Sequence, residues 1–161
     1  MKRTPSAPPH VVVDTSALVC LLRVPKLGTE LDYSNAGVRL RAWQAAKAKL
    51  YLTAPVVIET GNHIAQARSP DRHTLATGLQ RLVSATRSTT SGFLWAHAPG
   101  TLEDWERVLA DFPRLAAAGI GAADAALIDL VSTLRARHAR APVHIWTLDE
   151  ALVHHGDPFT P

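Results

Sequence analysis

Apolar positions along the chain follow two rhythms. Short, mostly apolar runs at His10–Val13, Leu50–Thr53, Gly92–Ala96 and Val143–Thr147 each stop at a polar residue, a tight turn or a helix-capping residue, and predict strands. The first of them, closed by three valines, has the character of a strand buried on both faces. Between these runs the apolar residues recur at helical spacing. Asp14, Thr15 and Ser16 can cap a helix through Leu22, and Arg23–Tyr33, with Pro25, Gly28 and several charges, reads as a loop. Ser34 or Asn35 is then expected to cap a helix to about Lys49, with Val38, Leu40, Trp43 and Ala46 as its apolar stripe.

Thr53 followed by Pro55 opens the next predicted helix, which carries Glu59, Asn62 and His63. Leu75, Leu79, Leu82 and Val83 predict another over Asp71–Arg87. Thr101 with Asp104 three residues on is an acidic form of the capping box, and its helix is expected to run to Asp111, where Pro113 ends it. Gly119 and Gly121 introduce a helix over Ala122–Ala139, with Ala126, Leu127, Leu130, Val131 and Leu134 on the buried side. Strands alternating with long helices imply an α/β fold, a three-layer sandwich whose mainly parallel central sheet is flanked by helices. Ligands in such sheets gather at the carboxyl ends of the strands.

A chain of 161 residues with 47% hydrophobic residues supports one core, so a single domain over 1–161 is expected, with tails at 1–9 and 157–161. The formal charge of +3 permits an acidic partner without requiring one. One cysteine, Cys20, excludes an internal disulfide and fits a reducing compartment. Met1–Pro9 holds three prolines and the apolar stretch after it meets Asp14, which argues against a signal peptide; no apolar run approaches the roughly 18 residues of a membrane span. A soluble, cytoplasmic protein is expected.

Four carboxylates fall at strand–helix junctions: Asp14 ends the first strand, Glu59 lies in the helix after the second, Asp124 opens a long helix, and Asp149 follows the last strand. The topology allows all four to meet on one edge of the sheet. Alone, each is accounted for as well by helix capping or by the helix dipole. Asp14 fits that reading least, because a charge directly after three valines is costly to bury unpaired. Together they would repel one another unless a divalent cation neutralised them, and hard oxygen donors suit Mg²⁺ or Mn²⁺, which activates water for phosphodiester hydrolysis. Thr15, Ser16, Asn62 and Thr147 are the candidates to orient these carboxylates or bound water. Asp129, five positions beyond Asp124, points about 140° away around the helix and is left out.

On these residues the sequence resembles the PIN-domain family, and within it the VapC-like ribonuclease toxins of toxin–antitoxin pairs. VVVDTSALVCLL resembles the opening strand, acidic residue and first helix, and APVVIETGNHI is similar to the second motif with Glu59 and Asn62. GIGAADAALIDL resembles the third, around Asp124, and HIWTLDEAL the fourth, with Thr147 and Asp149. The resemblance spans about residues 11–155. It implies a PIN fold, Mg²⁺- or Mn²⁺-dependent endoribonuclease activity on RNA through Asp14, Glu59, Asp124 and Asp149, a homodimer, and inhibition by a cognate antitoxin. The stretch Thr90–Pro99 departs from the family pattern, and Arg23–Tyr33 is long for it. A PIN nuclease of RNA processing, or a non-catalytic PIN module that binds RNA or protein, are the alternatives. A haloacid dehalogenase-type phosphatase needs a second Asp where Ser16 stands, and a dinucleotide-binding fold needs glycines that DTSALV lacks.

Overall fold

The computed structural model describes residues 7–68, 71–88, 90, 92–96 and 101–158. The expected tails lie outside the described residues at 1–6 and at 159–161. Strands β1 (His10–Val13), β2 (Lys49–Leu52), β3 (Phe93–Trp95) and β4 (Val143–Trp146) form one sheet in the order β3-β2-β1-β4, with every pairing parallel. The helices are α1 (Thr15–Leu21), α2 (Glu30–Ala45), α3 (Ala54–Gln66), α4 (Asp71–Ala85), α5 (Leu102–Leu109), α6 (Phe112–Ala117), α7 (Ala122–Arg137) and the short α8 (Glu150–Val153).

The α/β architecture follows from this order. Parallel strands need crossover connections, and these are right-handed. Passing from β1 to β2 to β3 in one direction puts α1–α4 on one face of the sheet. The return past β1 to β4 puts α5–α7 on the other. Side-chain register agrees: Val11 pairs with His144, against whose ring Trp43 of α2 packs at 5.1 Å, while α7 contacts β1 and β4 from the opposite side. All four residues of β1 are buried, as a central strand covered on both faces requires. The main core joins Val11–Val13, Leu18, Trp43, Leu52, Val56, Leu127 and Val131.

Two expectations about helix limits are corrected. The second helix starts at Glu30, because Thr29 and Asp32 form a capping box: Thr29 Oγ1 accepts from Asp32 N–H at 3.2 Å, and Asp32 Oδ2 accepts from Thr29 N–H at 2.8 Å. Ser34 and Asn35 therefore lie inside the helix, which turns Tyr33, Ala36 and Trp43 inward and leaves Val38 53% exposed. Pro113 does not mark a stop; it occupies the first turn of α6, where a missing N–H costs nothing. The predicted interior of α7 is observed, with Ala126, Leu127, Leu130, Val131 and Leu134 all buried.

Edge strand β4 is partly covered by the chain that follows it. Asp157 N–H donates to Val143 O at 2.8 Å, and Val143 N–H donates to Asp157 Oδ2 at 2.7 Å, while Arg135 clamps the same carboxylate at 2.7 Å. This close passage needs Gly156, since a Cβ there would stand 2.5 Å from Ile145 N. Among the described residues no helix is long and apolar enough to cross a membrane.

Candidate active site

Three segments leave the carboxyl edge of the sheet, and a fourth arrives there. Asp14 follows β1, α3 descends from the end of β2, and Thr147 to Asp149 follow β4. Helix α7 precedes β4 and runs antiparallel to it, so its N-terminus and Asp124 reach the same edge. The result is a cleft of about 280 Å³ lined by Asp14, Thr15, Ser16, Glu59, Asp124 and Asp149, together with Val19, Leu27 and His63.

Asp14 is the fixed point of this cleft. It is only 4% exposed, and the cost of desolvating its charge is offset by several donors. Its Oδ1 accepts from Thr15 N–H at 2.6 Å, capping α1. Its Oδ2 accepts from the Ser16 hydroxyl at 2.5 Å, the Thr147 hydroxyl at 2.8 Å and, at 3.3 Å, Ser16 N–H. Each hydroxyl, having spent its one proton on Asp14, accepts in turn: Ser16 Oγ from Leu148 N–H at 2.8 Å, and Thr147 Oγ1 from Asp149 N–H at 2.9 Å. The network ties α1 to the segment after β4. Thr15 Oγ1 donates to Glu59 Oε2 at 2.7 Å and ties α1 to α3 as well.

The two remaining carboxylates each cap a helix with one oxygen. Asp124 Oδ2 accepts from Gly121 N–H at 3.2 Å, and Asp149 Oδ1 accepts from Ala151 N–H at 2.9 Å. Asp124 Oδ1, Asp149 Oδ2 and Glu59 Oε1 accept no hydrogen bond among the described residues, and none of the four carboxylates is ion-paired there. Burial pushes the Asp124 carboxyl above its usual range, against the Gly121 N–H, and the charges of Asp14, Glu59 and Asp149 push it further the same way.

In charge and donor type the four suit a hard divalent cation. They are not a ready-made cage: among the described residues no three His, Cys, Asp or Glu side chains stand where one ion would be held by all of them. Mg²⁺ retains several waters and is held through one or two carboxylates, so the donor set fits it with water completing the shell.

Of the supporting candidates, Thr15, Ser16 and Thr147 are in the network, while Asn62 is exposed on α3 and does not line the cleft. His63 lines it instead. At about 100° per residue, the fourth position after Glu59 returns to within about 40° of it, a signal in the sequence that points to His63, whereas Asn62 was chosen on the family resemblance. Asp129 is turned away and pairs with Arg107 at 3.2 Å. Compared with known proteins, the chain matches no protein-family model and no curated protein sequence.

Proposed function

We propose that this chain is a PIN-type endoribonuclease dependent on Mg²⁺ or Mn²⁺, acting in the cytoplasm, and that the toxin of a toxin–antitoxin pair is its biological role. The observation that supports the chemistry is the acidic cleft: carboxylates from four separate segments, without cationic partners among the described residues, around an Asp14 that is buried and held in one orientation. Four like charges gathered in one cleft with no cationic side chain paired to them among the described residues favour a divalent partner over a purely structural role. The motif order behind the PIN resemblance and the parallel sheet with order β3-β2-β1-β4 agree with that family.

A divalent ion bound by Asp14, Glu59, Asp124 and Asp149 would lower the pKa of water and neutralise charge on the phosphate. The chain's own part is to hold those carboxylates in place. Ser16 and Thr147 fix Asp14, Thr15 fixes Glu59, and the first turn of α8 fixes Asp149. No protein nucleophile is needed for the attack on phosphorus. The homodimer and the antitoxin rest on the resemblance alone and belong to this proposal.

Purified protein incubated with single-stranded and structured RNA, with Mg²⁺, with Mn²⁺ and with chelator, tests the reading. Metal-dependent internal cleavage is expected. Growth arrest on expression, relieved by Asp14→Asn, is expected for the toxin role, and unaffected growth with retained cleavage would point to RNA processing. One observation favours a non-catalytic PIN module: the carboxylates do not converge on a single point. Under that alternative RNA binds in chelator and stays intact in both metals.

A further inference from the structure

An acidic cleft repels the polyanion it is proposed to cut, and among the described residues no Lys or Arg lines it. It is continued, through the shared residues Leu27 and His63, by a second cleft of about 240 Å³ on the α1–α3 side. Lys26 and Arg68 line this neighbour; both are exposed, and neither is ion-paired among the described residues. Asp71, in the first turn of α4, is the one acidic residue among its described lining, at a helix end whose dipole opposes its charge.

The backbone at Lys26 is the second observation. Its φ is +69°, a left-handed conformation that favours glycine over any residue with a Cβ. The turn is held from both sides: Val24 is 1% exposed, its N–H donates to Val19 O at 2.9 Å and its carbonyl accepts from Tyr33 Oη at 2.8 Å, while Leu27 N–H reaches back to Val24 O at 3.4 Å. Arg23 and Lys47 share a left-handed backbone, at φ +58° and +54°, so that conformation marks no function by itself; what the held turn supplies is a fixed place for Lys26 next to Leu27, which both clefts share.

We propose that this second cleft seats the sugar–phosphate backbone of single-stranded RNA beside the bond to be cut, with Lys26 and Arg68 neutralising its phosphates. The proposal rests on the nuclease reading, but its binding test stands apart from cleavage. Lys26 and Arg68 are positioning residues: they draw the strand across the acidic cleft and take no part in bond breaking.

The test is fluorescence anisotropy of a labelled single-stranded RNA oligonucleotide against salt, in chelator and in an Asp14→Asn background. For single strands each lost phosphate contact reduces the slope of log affinity against log salt by about 0.7. Lys26→Gly and Arg68→Gln are each expected to flatten the slope by about that much, and Lys26→Arg to restore it. Lys47→Gly is the matched control: Lys47 also has a left-handed backbone, at φ +54°, but precedes β2 at the opposite edge of the sheet, and its loss is expected to leave the slope unchanged. Lys26→Gly is also expected to melt no lower than the parent, which separates lost binding from lost folding. In the cleaving parent with Mn²⁺, the same substitutions raise KM while kcat stays near the parent value.

Unchanged slopes in Lys26→Gly and Arg68→Gln, or equal flattening by Lys47→Gly, would overturn the proposal. So would a polyglutamate peptide that binds as tightly as RNA, which would make the surface a site for an acidic protein. Cleavage that needs metal and Asp14 but shows unchanged slopes removes the second cleft and keeps the nuclease. Lys26- and Arg68-dependent binding without any cleavage does the reverse.

Discussion

At the scale of single residues, the chain places charge where burial is tolerable only because donors have been brought to meet it. Asp14 follows three buried valines, and two hydroxyls plus backbone N–H groups converge on it. Backbone strain is distributed in a similar selective way. Lys47 follows the C-cap of α2 in a Schellman arrangement: Ala48 N–H donates to Trp43 O at 2.9 Å and Lys47 N–H to Gln44 O at 3.0 Å. Gly119, at φ +83°, fills the same position after α6 without strain. Lys47→Gly is therefore expected to raise the melting temperature by about 2–4 °C, which corresponds to roughly 1 kcal/mol, in a calorimetric scan. Asp14 was legible in the sequence because an acid directly after three valines must either meet donors or bind a cation to be buried there. His63 was legible only through Glu59: four positions on, it shares that residue's face of α3, a spacing outweighed by the family pattern that pointed to Asn62.

At the scale of elements, strands and long helices were readable wherever periodicity and capping agreed. Helix α7 is the clearest case, with every residue expected on its buried side found there and Ala125 added to them. The start of α2 shows the opposite: Ser34 or Asn35 was the expected cap, and the helix instead begins after Thr29, which with Asp32 satisfies both halves of a capping box inside the stretch read as a loop. Pro113 was ambiguous for a related reason, since proline suits a first turn as well as it breaks an interior. Packing decides which elements carry stability. Leu127 is 0% exposed, on the face of α7 that meets the sheet. Leu127→Ala is expected to cost about 2–5 kcal/mol in urea unfolding, and an effect below about 1 kcal/mol would contradict the placement of α7.

At the scale of the whole molecule, the right-handed crossovers bring the carboxylates to one edge of the sheet and leave a different kind of cluster at the other. There His10, 4% exposed, bonds Tyr51 Oη through Nδ1 at 2.7 Å and stacks on His138 at 4.1 Å. Burial, with His138 and Lys49 adding to it, holds the His10 pKa down to about 4 from its usual 6.5. The unfolded chain thus binds a proton that the folded chain refuses between those values, so this contribution to stability is complete above about pH 6.5 and is lost as pH falls toward 4. His10→Gln is expected to flatten the pH dependence of urea unfolding across that window, and an unaltered slope would contradict the assignment. The acidic edge carries the central claim. It is tested most directly by following cleavage of a labelled RNA by the purified chain and its Asp14→Asn variant, with Mn²⁺ and with chelator. The parent is expected to cut only with metal, and the variant to lose at least about a hundredfold in rate while melting as a folded protein. Cleavage by Asp14→Asn at the parent's rate, or equal cutting in chelator, would contradict it.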